Sequence, residues 1–277
     1  QHNVLLRRFT LSVGVLANYN SALNEGIHFY PGIDASYRIG DNFRLYGSWN
    51  RALRMPTFTD LYYEGKTNKG NPDLKPEESE AFEVGLKYNT YFLRAHIAGF
   101  YRKGKNMIDW VKEKPEDIWE SQNLTKVDNL GFETNLSLLP RELGNERFFI
   151  RKIELGYAFI HQDKDSEGYI SNYALDYLKH KFTAQLSHSI WKGFSATWYV
   201  RWQDRAGSYT KYENLKPAYE EPYAPYCLVD MKVNWEYQRL NLYAELNNLL
   251  NSTYYDLGNI PQPGIWFKAG FRYSFKY

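Results

Sequence analysis

Hydrophobic and polar residues alternate with a period of two along most of the chain, the pattern of strands with one apolar and one polar face. The last strand shows it best. Phe267, Ala269, Phe271, Tyr273, Phe275 and Tyr277 share one face, and Lys268, Gly270, Arg272, Ser274 and Lys276 the other. The same rhythm runs through residues 9–19, 33–39, 43–49, 82–88, 93–97, 132–138, 153–159, 182–186, 194–203, 229–235 and 240–247. With the last strand this predicts about twelve strands, each near the length that crosses a bilayer at a tilt. Lipid on one side and water on the other explains such alternation without a soluble core.

The connections alternate too. Short links fall at Gly40-Asp41, Asn89-Thr90, Trp191–Gly193 and Glu236–Gln238, with a somewhat longer one from Pro140 to Glu146. Between them come long links: Asn20–Gly26, Leu53–Glu78, Lys103–Lys126, Gln162–Lys179, Ala206–Ala224 and Asn251–Pro263. Tight turns at one end and long loops at the other are what a transmembrane barrel requires, with the long loops outside the cell. A soluble sandwich has no reason to keep its long loops at one end. The expected fold is therefore an all-β, antiparallel transmembrane β-barrel, with the C-terminus at the periplasmic end.

Composition supports this. Aromatic residues make up 18% of the chain, with 25 Tyr, 16 Phe and 8 Trp. The mean hydropathy is nevertheless −0.62. A helical membrane protein needs apolar runs of about 20 residues, and none is present. A barrel needs only alternate residues apolar, and it gathers Tyr and Trp at the two lipid–water interfaces. The formal net charge of +2 gives no electrostatic footprint for nucleic acid. Cys227 has no partner for a disulfide or metal site, and the histidines lack metal-ligand spacing. His161 and Asp163 have no nearby Ser motif, so no catalytic residue is assigned. No cofactor is expected.

Two long-link motifs carry a resemblance. Arg54-Met-Pro-Thr-Phe-Thr-Asp-Leu-Tyr62 is followed by Gly70-Asn-Pro-Asp-Leu-Lys-Pro-Glu-Glu78 and then by a strand. Pro56, Pro72 and Pro76 block regular pairing and stiffen this loop. The pattern resembles a signature of TonB-dependent receptors, whose matching positions here are Arg54, Pro56, Leu61, Tyr62, Asn71, Pro72, Leu74, Pro76 and Glu77. Leu246-Asn-Asn-Leu-Leu-Asn251 with Tyr254, and Ile260-Pro-Gln-Pro-Gly264 before the final strand, are similar to that family's C-terminal segments. Ile265 stands where the family usually has Arg. A terminal aromatic such as Tyr277 is similar to the signal read by the barrel assembly machinery.

The resemblance implies a location in the bacterial outer membrane, in contact with its lipid. It implies energy-coupled uptake of a scarce nutrient such as a corrinoid or an iron-siderophore. The family's barrel has 22 strands around an N-terminal plug. Residues 1–277 are expected to be the C-terminal portion of such a barrel, with the plug absent and the TonB complex acting through the missing N-terminal part. A closed twelve-strand passive channel is the alternative, and an outer-membrane enzyme a third.

Ligand contact is expected on the outer loops, at Trp110 and Trp119, at Tyr169 and Tyr173, and at Tyr209, Tyr212 and Tyr219. Rings with a hydroxyl or indole N–H suit a bulky, partly apolar small molecule. The alternative is that these rings form the outer girdle or pack loop against loop. Lumen-facing Arg44, Arg94, Arg201, Glu83, Glu133 and Glu245 could hold a plug or simply be solvated wall.

Overall fold

A computed structural model describes residues 2–19, 26–114, 116–144, 147–165, 168–171, 177–213 and 216–275. Its strands are β1 (His2–Leu5), β2 (Phe9–Tyr19), β3 (Ile27–Ile39), β4 (Phe43–Arg54), β5 (Asn68–Lys69), β6 (Glu77–Asn89) and β7 (Leu93–Lys112). Then come β8 (Trp119–Leu138), β9 (Ile150–Asp165), β10 (Ile170–Ser171), β11 (Leu178–Trp191), β12 (Phe194–Arg205) and β13 (Ser208–Glu213). The last are β14 (Lys216–Pro222), β15 (Tyr226–Tyr237), β16 (Leu240–Asn247), β17 (Tyr255–Leu257), β18 (Ile260–Pro261) and β19 (Trp266–Tyr273). One short helix, α1 (Phe58–Tyr62), and a 3-10 turn at Pro140–Leu143 complete the elements. Among the described residues no helix is long and apolar enough to cross a membrane.

The main sheet runs β1-β2-β3-β4-β6-β7-β8-β9-β11-β12-β15-β16-β19, each strand hydrogen-bonded to the next. All twelve expected strands are in it, and β1 is a thirteenth that alternation did not reveal. Four residues are too few to establish a period. The final strand ends at Tyr273, short of the expected end, and Tyr277 lies outside the described residues.

The chain divides into two compact units. Unit 1 is Gln1–Lys87, Ile97–Phe132 and Ile160–Asp176. In it, Val13 lies opposite Ile33, Ala17 opposite Phe29 and Tyr19 opposite Ile27. Val13, Ile33, Phe29, Ile27 and Tyr19 are all exposed. A cross-strand row of apolar side chains left uncovered is costly in water and favourable in lipid. On the other face Tyr46 reaches over Gly85, where a Cβ would come within 2.5 Å of its ring, and donates to Glu83 Oε1 at 2.7 Å. Lys87 Nζ sits 4.6 Å above the same ring.

Unit 2 is Tyr88–His96, Glu133–Phe159 and Tyr177–Tyr277. Leu155 pairs with Ala184, which pairs with Val200, in an apolar row. The opposite face carries a charged ladder in which Lys232, Glu245 and Lys268 are direct cross-strand neighbours. Glu245 bonds Lys232 at 2.7 Å and Lys268 at 2.6 Å. This ladder lines an open polar cavity of about 550 Å³ together with Arg151, Tyr243 and Arg272.

At the start of the loop after β16, Asn248 is 3% exposed and adopts φ 51°. Its Nδ2 donates to the carbonyls of Ser252 and Pro263 at 2.9 and 3.2 Å, and its Oδ1 accepts from Ser252 N at 2.9 Å. Asp230 Oδ1 accepts from its backbone N–H at 2.7 Å. Asn tolerates the left-handed region, and here its side chain closes the loop. Asn248→Ala removes the partner of three part-buried backbone groups and puts alanine in the left-handed region, and is expected to cost about 2–3 kcal/mol. Denaturant unfolding of the full-length protein in detergent checks this; an unchanged midpoint would refute the clasp.

Candidate functional site

Among the described residues, several of the connections expected as long loops contain strand. β7 and β8 have 20 residues each, about twice the 9–11 a tilted strand needs to cross a bilayer. Residues 103–112 and 119–126, expected as loop, are strand. β10 adds to β7 through Ile170 opposite Lys112. β5 adds parallel to β8 through Asn68 opposite Trp119. Three long connections of unit 1 are thus joined by backbone hydrogen bonds into a small sheet of order β10-β7-β8-β5. Residues 103–112 show no regular alternation, and β7 passes through Asn106 at φ 52°, a conformation uncommon for a strand residue.

Several side chains of these segments are buried. Leu74 and Val111 are buried, and Trp110, 8% exposed, meets Tyr63 edge-on at 6.3 Å. Asp109 and Ser121 are buried as well, the second at 0% exposure.

The motif residues hold this layer in place. Glu77 Oε1 accepts from Arg54 Nη2 at 2.5 Å and from Ile108 N at 2.8 Å, and its Oε2 accepts from Arg54 Nε at 2.6 Å. A bidentate arginine–carboxylate pair of this kind is among the stronger hydrogen-bonded contacts. Arg54 also lies 3.7 Å from Asp60, which closes a capping box with Thr57 at the start of α1. Gly70 is fixed by close approach: a Cβ there would lie 2.8 Å from the Leu61 carbonyl carbon. Asn123 Oδ1 accepts from Lys75 N at 2.9 Å, and its Nδ2 donates to Lys75 O at 2.9 Å and Asn106 O at 2.7 Å.

In unit 2 the β13–β14 hairpin carries a tyrosine stack. Tyr209, 6% exposed, lies 5.0 Å from Tyr255 and 5.2 Å from Tyr223. Tyr223 hydroxyl accepts from Gly258 N at 3.0 Å. Lys211 lies over the Tyr209 and Tyr255 rings and bonds Glu221 at 2.9 Å. Lys211 thereby holds the Glu221 carboxyl below its ordinary 4.5. Tyr226 hydroxyl bonds Gln203 and Asp256, tying the next loop to the strands.

The description "TonB dependent receptor-like, beta-barrel" matches residues 6–249. The chain belongs to the TonB-dependent receptor β-barrel family. Its residence is the outer membrane. The vitamin B12 transporter BtuB of Vibrio vulnificus is 27% identical over 178 residues, 51% of this chain and 28% of that protein. The ferripyoverdine receptor of Pseudomonas aeruginosa is 24% identical over 252 residues, 85% of this chain and 28% of that one. A mutant ferric enterobactin receptor of Pseudomonas aeruginosa, solved with enterobactin, superposes with a TM-score of 0.75 at 19% identity, covering 99% of this chain and 44% of that one. The siderophore receptor PirA of Acinetobacter baumannii gives 0.73 at 17% identity, with 99% and 44% covered. The chain therefore spans less than half the length of these relatives.

Set on this receptor barrel, the expected contact residues separate. Trp110 is buried beside Tyr63, and Tyr209 beside Tyr223 and Tyr255. Trp119 is half-buried under Lys112, whose Nζ lies 4.5 Å from its ring. Tyr169 is half-buried, and Tyr219 is 53% exposed. Tyr212 lies in β13, but its side chain, like all of Tyr173, falls outside the described residues. Of the motif residues, Arg54 and Glu77 form the pair, Leu74 is core, and Tyr62 points outward beside Phe58, their rings 6.1 Å apart. Asn123 and Phe58 were not among the expected residues. No signal marks Asn123, whereas Phe58 stands four residues before Tyr62, the spacing of one helix face.

Proposed function

We propose that this chain is the C-terminal portion of a longer TonB-dependent receptor, which captures a corrinoid or an iron-siderophore on its outer loops. Import of the nutrient is coupled to the TonB complex through the part of the receptor that precedes this chain. Support comes first from the family match, and from coverage that takes in nearly all of this chain but under half of each solved receptor. The named cargoes of the relatives, vitamin B12 and iron chelates, are bulky ligands with apolar and polar faces. The observation that most supports the reading is the set of strand additions and extensions in the long connections of unit 1, beside which the aromatic side chains of Phe58 and Tyr62 are exposed.

Ligand contact is assigned to Trp119, Tyr169 and Tyr173 in unit 1 and, separately, to Tyr212 and Tyr219 in unit 2, while Trp110 and Tyr209 are buried. The test is binding of vitamin B12 and of ferric enterobactin to the full-length receptor in outer-membrane vesicles, followed by uptake in cells with and without an energised inner membrane. Binding of one probe, with uptake lost on de-energising, is the expected result. Binding of neither overturns the cargo assignment. Uptake that survives de-energising overturns the coupling.

A further inference from the structure

The outer layer of unit 1 is more strongly tied than a surface loop needs to be. A single carboxylate, Glu77, joins the end of β4 through Arg54 and the extension of β7 through Ile108 N. A single amide, Asn123, joins the motif loop at Lys75 to the middle of β7 at Asn106. Both side chains therefore bridge segments distant in sequence. Each side chain thus ties segments that are not hydrogen-bonded strand neighbours.

The same layer carries exposed apolar surface. Phe58 and Tyr62, one turn apart on α1, are 83% and 63% exposed, and their rings lie against each other. Thr57 and Asp60 cap this helix, and Arg54 reaches Asp60, so the orientation of the two rings depends on the clamp. A five-residue helix has no stability of its own. An exposed aromatic pair on a rigid mount suits a bulky, partly apolar ligand, because the rings present a large contact area with little entropy left to lose.

We propose that Arg54, Glu77 and Asn123 are positioning residues for ligand capture, holding the outer segments of unit 1 as one ordered cap that presents Phe58 and Tyr62 to the ligand. This rests on the receptor reading above. The clamp determines affinity by preordering the cap, and the two rings are the contact it offers.

The experiment uses the full-length receptor in outer-membrane vesicles, with two readouts. The first is the rate of trypsin cleavage at Lys66, Lys69 and Lys105, which needs no ligand. The second is the affinity for whichever of the two probes named above the wild type binds, together with the saturating uptake rate. Glu77→Gln and Asn123→Ala should each raise cleavage and weaken binding about tenfold, with the saturating rate unchanged. Arg54→Lys, which keeps the charge and loses the fork, should fall between these and the wild type. Phe58→Ala should weaken binding about tenfold and leave cleavage at the wild-type rate. Glu77→Gln carries the greater risk of failing to assemble, and Asn123→Ala then decides the matter alone. Wild-type cleavage rates in the assembled clamp variants overturn the clamp. Faster cleavage with unchanged affinity overturns its role in capture, and unchanged affinity in Phe58→Ala overturns the contact. A wild type that binds neither probe overturns the functional reading and the capture role with it, while the cleavage rates still decide the clamp.

Discussion

Leu155→Arg is expected to destabilise the membrane-inserted receptor by about 2–4 kcal/mol. Leu155 stands mid-strand in β9, opposite Ala184, and is 42% exposed. In water that exposure would make it a tolerant surface site, and an added charge would change stability by about half a kcal/mol or less. In lipid the same site has no solvent for a guanidinium, and the side chain must snorkel or draw water after it. The control is Gln185→Arg, one residue along from Ala184 and on the opposite face of β11, directly beside Glu154. An arginine there meets a carboxylate on the polar face and is expected to be nearly neutral. Guanidinium unfolding in lipid vesicles measures both. Equal, small effects would mean that the alternating faces do not separate lipid from water.

Gly193→Ala is expected to cost about 3 kcal/mol. Gly193 turns the chain between β11 and β12 at φ 80°, a conformation that charges an L-residue about 1–2 kcal/mol. The new Cβ would also lie 2.5 Å from the Glu236 carbonyl oxygen. That oxygen belongs to the neighbouring strand, whose Glu236 N–H donates to Gly193 O at 3.0 Å, so it cannot swing aside as a side-chain tip would. Overpacking against fixed atoms adds a further cost of about 1–3 kcal/mol. Gly40→Ala separates the two contributions. Gly40 turns at φ 65° with nothing within 4 Å of its Cβ position, so only the backbone cost applies. The difference between the two unfolding midpoints reports the clash. If Gly193→Ala and Gly40→Ala shift stability equally, the close approach at Glu236 has been overestimated.

Together these variants separate what each level of structure contributes. The strands were legible because lipid and water impose a strict period of two, which survives in any barrel whatever its register. Residues 153–159 and 182–186 could be assigned faces without knowing that Leu155 meets Ala184. The turn–loop asymmetry was legible because Gly and Asn mark tight turns locally. The Arg54–Glu77 segment could be singled out by its resemblance to the family signature, with which its stiffening prolines agree.

The outer layer was not legible in the same way. Both faces of a short strand above the membrane can be packed against protein, so β5, β10 and the extensions of β7 and β8 carry no lipid-imposed period. Whether a loop aromatic is a contact or a core residue depends on partners far away in sequence. Trp110 and Tyr219 look equivalent as residues, yet one is buried against Tyr63 and the other faces solvent. Asn123 has nothing local to distinguish it, and only the approach of Lys75 and Asn106 makes its amide a bracket. By itself, the sequence determined which side of each long strand meets lipid, because the solvent on either side acts on every residue independently. The tertiary structure alone decided which loop residues hold and which are presented, because that choice is made by contacts between segments that no local pattern records.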